Sequence, residues 1–173
     1  PICFVSIAYY AYDSLLFSKM NKAISETEGD LYHRRSVEYM ELYNKIKKHF
    51  QSLYVDENGK LTQDSQTAYL MALKFDLLPE ECREKAVKVL DEKIKKNGYK
   101  LSTGFLGTGI LTQTLSEVGL SNLAYSLLLQ TEDPSWLYSV YQGATTVWER
   151  WNSYTLEKGF GDVGMNSFNH YAY

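Results

Sequence analysis

The chain has 173 residues, enough for one domain with a sizeable core, and its 45% hydrophobic and 23% charged content is that of a globular protein. A formal net charge of −3 argues against a nucleic-acid or anionic-membrane surface. The 15 Tyr, 7 Phe and 3 Trp stand out, because a flat apolar ring with a polar edge suits helix interfaces and also pockets for polar, ring-shaped ligands such as sugars.

Taken in chain order, the pattern is helical almost throughout. Residues from Ile2 to Ser25 are apolar and then amphipathic, and Glu28-Gly29-Asp30 breaks them. The opening run "ICFVSIAYYAY" has no basic leader before it and is too short to span a bilayer, so a buried helix is expected. In the next segment Val37, Met40, Tyr43, Ile46, Phe50 and Leu53 recur at helical spacing, opposite Glu38, Glu41, Lys45, Lys47 and Lys48. Asp56-Glu57-Asn58-Gly59 is a turn signal. A third helix is predicted over Asp64 to Leu77, with Tyr69, Leu70, Leu73 and Leu77 inward. Pro79 then opens a fourth, followed by Glu80 and Glu81. Its inner face is Cys82, Ala86, Val89 or Leu90, and Ile94, and Asn97-Gly98 closes it.

The stretch "LSTGFLGTG", Leu101 to Gly109, changes character. It fits a plain linker or, equally, a loop whose missing side chains admit a ligand to the backbone. Helices are predicted over Ile110 to Val118 and Asn122 to Leu129, with irregular segments and short helices after Pro134 and no strand signal beyond Leu53–Val55. Helices joined by short turns are antiparallel neighbours, so the expected fold is all-α, an array of αα-hairpins. No internal period supports a TPR or ankyrin array, which leaves an irregular bundle or part of an α/α toroid.

Cys3 and Cys82 are far apart and expected to be buried, and His33, His49 and His170 lack paired-ligand spacing, so neither metal nor other cofactor is expected. Glu80 and Glu81 are explained by the helix dipole, and Asp64, Glu117, Asp133, Glu157 and Asp162 by caps and turns. Glu149 differs. In "QGATTVWERW" it lies among Val147, Trp148 and Trp151, where partial desolvation makes a carboxylate a stronger base when ionised or a usable acid when protonated. No GxSxG elbow or P-loop is present, and a lone histidine such as His170 is more often a packed core residue than a functional one.

The strings "LSTGFLGTGILTQTLSEVGLSNLAYSLLLQTEDPSW", "QGATTVWERW" and "SFNHYAY", with "SQTAYLMALKFDLLPEE" before them, resemble the catalytic domain of bacterial α-L-rhamnosidases of the glycoside hydrolase 78 type. The resemblance covers nearly the whole chain. It implies an (α/α)6 barrel that hydrolyses terminal α-L-rhamnose with inversion, which takes a general acid and a general base on opposite faces of the sugar. By the same resemblance Glu149 is the base, His170 contacts the sugar, and Trp148 and Trp151 form pocket wall or support.

The chain departs from the family pattern in one large respect: the Asp- and Arg-rich block that carries the general acid has no counterpart here. The flanking β-sandwich domains are missing too, and about half the helices of six pairs are present. Residues 1–173 are therefore expected to be a single partial domain, the C-terminal half of a six-hairpin barrel, with both ends cut. Gly109 and Leu137 stand where many relatives have Pro and Gly, which bears on pocket shape. Two other readings remain open: another sugar-active toroid enzyme such as a lyase or uronyl hydrolase, and a non-catalytic carbohydrate-binding or scaffold protein. The expected partners are a rhamnose-containing glycoside and either the missing barrel half or a second copy, and neither nucleic acid nor membrane; localisation stays open.

A half barrel exposes inner helix faces as a large apolar patch. The chain is expected either to be a piece of a longer product or, in isolation, to associate through that face, with a sedimentation mass rising with concentration. A monodisperse monomer at high concentration would refute this.

Overall fold

A computed structural model describes residues 2–162, 164 and 167–170, with the Ile2 side chain excepted. Seven helices are found among the described residues: α1 Ile2–Glu28, α2 Asp30–Tyr54, α3 Gln66–Lys74, α4 Glu80–Lys96, α5 Phe105–Glu117, α6 Ser121–Leu128 and α7 Trp136–Tyr141. One short antiparallel hairpin follows, β1 Tyr154–Thr155 and β2 Gly159–Phe160, with Tyr154 opposite Phe160. The all-α array of αα-hairpins is as expected. The chain divides into two compact units, residues 1–64 with 71–86, and residues 65–70 with 87–173.

In the first unit α1 packs along α2. The buried seam of α1 is Phe4, Ala8, Ala11, Ser14, Ser18 and Asn21, spaced by three or four residues. Small residues on that seam let the helices approach, and Ser18 Oγ donates to the Ser36 carbonyl at 2.7 Å. The matching seam of α2 is Ser36, Tyr43, Ile46 and Phe50. This corrects the expected stripe, since Val37 and Leu53 are each 47% exposed. Tyr43, Ile46 and Phe50 are buried as expected; near the start of the helix Ser36 takes the buried place instead of Val37, its hydroxyl and carbonyl bonded to Ser18. Phe4, Phe50 and Tyr54 close one end as a ring cluster with centroids 4.9–5.1 Å apart.

The expectation that both cysteines are buried is not met: Cys3 is exposed and Cys82 partly so. Cys3 lies off the α1 seam, and Cys82 sits in the open first turn of α4 against Gly59. Gly59 has φ +73°, and a Cβ there would lie 2.6 Å from Cys82 Sγ, so the turn needs glycine for both conformation and space.

Helix α3 ends in an unusual cap. Leu77 N–H reaches back to the Ala72 carbonyl at 2.9 Å and Asp76 N–H to Leu73 at 3.4 Å, the paired bonds of a Schellman motif. The residue in the left-handed position is Asp76, φ +54°, where glycine is usual. Its neighbours hold it there. Tyr43 Oη donates to the Asp76 carbonyl at 2.7 Å, and Lys47 Nζ meets the carboxylate at 2.9 Å. Arg83 Nη1 lies 3.7 Å from the same carboxylate and donates to the Leu73 carbonyl at 3.2 Å. Burial, and then the Asp76 carboxylate, hold the Tyr43 phenol well above its usual range.

In the second unit α5 and α6 form an αα-hairpin. Leu111, Leu115 and Leu127 are fully enclosed, and Gly119 at φ +83° ends α5 with the same Schellman pairing, Leu120 N–H to Leu115 and Gly119 N–H to Ser116. Of the stretch Leu101 to Gly109, residues 101–104 are a non-helical connection, and from Phe105 on it is the start of α5. Gly107 is buried, and a Cβ on it would lie 2.6 Å from Thr67 Oγ1 and 3.0 Å from Thr103. The glycine serves close packing of this helix start. The 154–160 hairpin is likewise a feature that the sequence pattern does not announce.

Tyr43→Phe should cost about 1 kcal/mol in urea unfolding at neutral pH, the net value of one hydrogen bond. A tyrosine whose folded pKa is raised stabilises fully below the unfolded value near 10 and loses that contribution as pH rises further. The stability gap between wild type and Tyr43→Phe should therefore shrink above pH 10. A gap independent of pH would show that the folded phenol titrates no higher than the unfolded one.

Candidate functional site

The segment after α7 has little regular structure, and its conformation is set by specific bonds. Ser135, fully buried, caps α7 by accepting the Tyr138 N–H at 3.1 Å. One turn further along, Ser139 Oγ donates to the Trp151 carbonyl at 2.9 Å, tying α7 to the "WERW" turn. Gln142 Oε1 accepts the Leu156 N–H at 2.8 Å and so ties the end of α7 to the hairpin loop.

Glu149 is half-buried and belongs to an extended pairing with residues 167–170. Its N–H donates to the Ser167 carbonyl at 2.8 Å, and its Oε2 accepts the Ser167 N–H at 2.7 Å. Two residues along, His170 N–H donates to the Val147 carbonyl at 2.8 Å, and Thr146 Oγ1 donates to the Phe168 carbonyl. The structure thus brings the backbones of the "ATTVWERW" and "SFNH" blocks together, with Glu149 and His170 on facing segments. The His170 ring lies 5.9 Å from Phe105 at the start of α5. The last three residues of the second block lie outside the described residues.

Aromatic packing stiffens this pairing. Trp148 is 9% exposed, with its ring edge-on to Phe168 at 5.5 Å and to Tyr154 at 6.3 Å. Phe160 completes the cluster at 5.2 Å from Tyr154 and 5.4 Å from Phe168. The short hairpin therefore supplies two of the four rings. Trp151 is half-buried and packs edge-on against Trp136 at 5.4 Å. Trp136, Trp148 and Trp151, with Val140, Thr145 and Thr146, wall a cavity of about 300 Å³. Neither Glu149 nor His170 lines it. The four residues singled out from sequence thus form two adjacent groups: two indoles on a cavity, and a carboxylate and an imidazole on paired backbone.

The turn itself is locked. Ser153, 1% exposed, donates its hydroxyl to the Arg150 carbonyl at 2.9 Å and accepts the Arg150 N–H at 3.2 Å. Gly161 N–H donates to the Ser153 carbonyl at 2.8 Å, and a Cβ on Gly161 would sit 3.3 Å from the Asn152 and Ser153 oxygens. Arg150 meets Asp162 at 3.3 Å, an exposed pair worth little by itself. Sequence reasoning did not single out Ser153, Ser167, Phe168 or Trp136. Trp136 and Ser167 do end and begin family-like blocks, but Ser153 carries no local signal. Among the described residues no cluster of three or more His, Cys, Asp or Glu could hold a metal ion, and no helix is long and apolar enough to cross a membrane.

The model of one family, the bacterial alpha-L-rhamnosidase 6 hairpin glycosidase domain, matches residues 1–173. An alpha-L-rhamnosidase of Formosa agariphila is 43% identical over 171 residues, 98% of this chain and 18% of that protein. The crystal structure of the Streptomyces avermitilis alpha-L-rhamnosidase complexed with L-rhamnose superposes with a TM-score of 0.88 at 39% identity, over 98% of this chain and 16% of that one. The native enzyme from Aspergillus terreus gives a TM-score of 0.86 at 40% identity, over 95% of this chain and 18% of that one. The chain therefore spans less than a fifth of the length of each of these relatives.

Phe168→Ala removes the ring that joins Trp148 to Phe160. The loss should lower stability by about 1–3 kcal/mol, less than a fully buried phenylalanine costs. It should also collapse the near-ultraviolet dichroism of the tryptophans. An unchanged spectrum with unchanged stability would mean that the ring cluster does not hold the pairing.

Proposed function

Because the chain belongs to the bacterial α-L-rhamnosidase six-hairpin glycosidase family, we propose that it forms the C-terminal half of a catalytic barrel that hydrolyses terminal α-L-rhamnosides with inversion, with Glu149 as general base. The observation that carries this reading is the double bond set between Glu149 and Ser167. One backbone residue holds both the Glu149 N–H and its carboxylate, at 2.8 and 2.7 Å. A base that delivers water to an anomeric carbon must be held within reach of it before the reaction, because misplacement costs rate whatever the strength of the base.

In the inverting reaction the carboxylate takes a proton from water as the water oxygen bonds to the anomeric carbon, and the bond from that carbon to the leaving oxygen breaks. The leaving oxygen takes a proton from a general acid. On this reading the acid lies in the other half of the barrel, so the isolated chain is inactive. His170 supports the sugar from the segment paired with Val147, and the indole-walled cavity of Trp148 and Trp151 receives an apolar ring face. The Streptomyces avermitilis relative was crystallised with L-rhamnose, which supports rhamnose as the sugar recognised here. The exposed Tyr125, Leu128 and Leu129 of the second unit are surface of the kind that the rest of a barrel, or a second copy, covers.

The test is Glu149→Gln in the intact protein that contains this chain, assayed on an aryl α-L-rhamnoside. Loss of a general base should lower kcat by about 10²–10⁴-fold, with KM nearly unchanged. Turnover at the wild-type rate would discard the assignment, and rhamnose binding without turnover in the wild-type protein would favour a non-catalytic sugar-binding role.

A further inference from the structure

Glu149 hangs between two peptide groups, and the only soft backbone rotations at a residue are φ and ψ. The first is fixed by its own N–H, which donates to the Ser167 carbonyl at 2.8 Å. The second is set by the peptide that follows, and that peptide's N–H, on Arg150, is accepted by Ser153 Oγ at 3.2 Å. The same hydroxyl gives its single proton to the Arg150 carbonyl at 2.9 Å. One buried side chain therefore holds the peptides on both sides of Arg150, a use of the hydroxyl as donor and acceptor together.

We propose that Ser153 is a positioning residue for Glu149, fixing the direction in which the Glu149 carboxylate leaves the backbone. The proposal rests on the general-base reading of Glu149. Three features separate it from general packing. Ser153 is 1% exposed in a turn made largely of exposed and half-exposed residues. Its carbonyl is anchored in turn by the Gly161 N–H at 2.8 Å, which braces the serine against the hairpin. Its own N–H also donates to the Arg150 carbonyl, at 3.2 Å. Removing the hydroxyl thus leaves a backbone bond that still closes the turn, while the peptide after Glu149 loses its anchor.

The experiment compares Ser153→Ala, Ser153→Thr and Glu149→Gln in the intact protein on an aryl α-L-rhamnoside, with thermal unfolding recorded for each. Leu127→Ala serves as a stability control, since Leu127 is fully buried in α6 and outside the site. Displacement of a reacting group by about 1 Å costs on the order of 10²-fold in rate. Ser153→Ala should lower kcat by about tenfold to a hundredfold with KM within about twofold, and Ser153→Thr, which keeps the hydroxyl, should recover part of the loss. Leu127→Ala should lower the melting temperature without this change in kcat per folded molecule.

If Glu149→Gln abolishes turnover but Ser153→Ala keeps kcat within about twofold, Ser153 does not position the base and only this proposal falls. It falls equally if the loss in Ser153→Ala tracks the folded fraction as in the control, or if Ser153→Thr is no better than Ser153→Ala. If Glu149→Gln retains turnover, the general-base reading falls and this proposal falls with it.

Discussion

The arrangement around the candidate site depends on one residue pair. Glu149 and Ser167 are bonded twice, backbone to backbone and backbone to carboxylate, and they join two segments 18 positions apart. Among the described residues, neither segment has helix or ladder bonds of its own to fall back on. A buried or half-buried N–H without a partner costs more than a made bond returns, so the pairing is driven as much by the penalty for leaving these groups open as by its own strength. The bonds from His170 to Val147 and from Thr146 to Phe168 extend it, and the Trp148, Tyr154, Phe160 and Phe168 rings shield one side. The carboxylate oxygen of Glu149 accepts the Ser167 N–H, so this side chain is itself part of the scaffold of the pairing.

That structural part bears on any substitution of Glu149. A glutamine keeps an acceptor oxygen for the Ser167 N–H, whereas alanine removes the carboxylate proposed as base and the clamp together. Loss of activity in an alanine variant would therefore not separate base catalysis from collapse of the pairing. The serines follow the same logic. Ser135 caps α7, Ser139 ties α7 to the Trp151 carbonyl, and Ser153 locks the turn between Glu149 and the hairpin. Short hydroxyl side chains satisfy backbone groups where the chain is neither helix nor sheet.

The first unit uses a different device for a similar end. Its third helix stops at a non-glycine residue in a left-handed conformation, Asp76. Aspartate tolerates that region better than most residues, and here its carbonyl and carboxylate are both held by Tyr43, Lys47 and Arg83. The cap thus fixes the turn into α4 through tertiary contacts, where α5 in the second unit does it with Gly119 alone.

Local pattern by itself determined that the chain is an array of helices, because apolar residues at three- and four-residue spacing, Pro79, Asn97-Gly98 and Gly119 act over one or two turns of chain. It also determined the family, since the blocks around Glu149 and His170 are contiguous strings. Tertiary structure decided the rest. Ser36 could displace Val37 from the α2 seam only once Ser18 was there to bond it. "LSTGFLGTG" reads as a loop by composition, but its second half is helix, and Gly107 there leaves room for Thr67 and Thr103. The Glu149–Ser167 bonds and the Ser153 lock join residues whose separation along the chain carries no periodic signal, so they exist only when the folded backbone brings donor and acceptor within about 3 Å of each other.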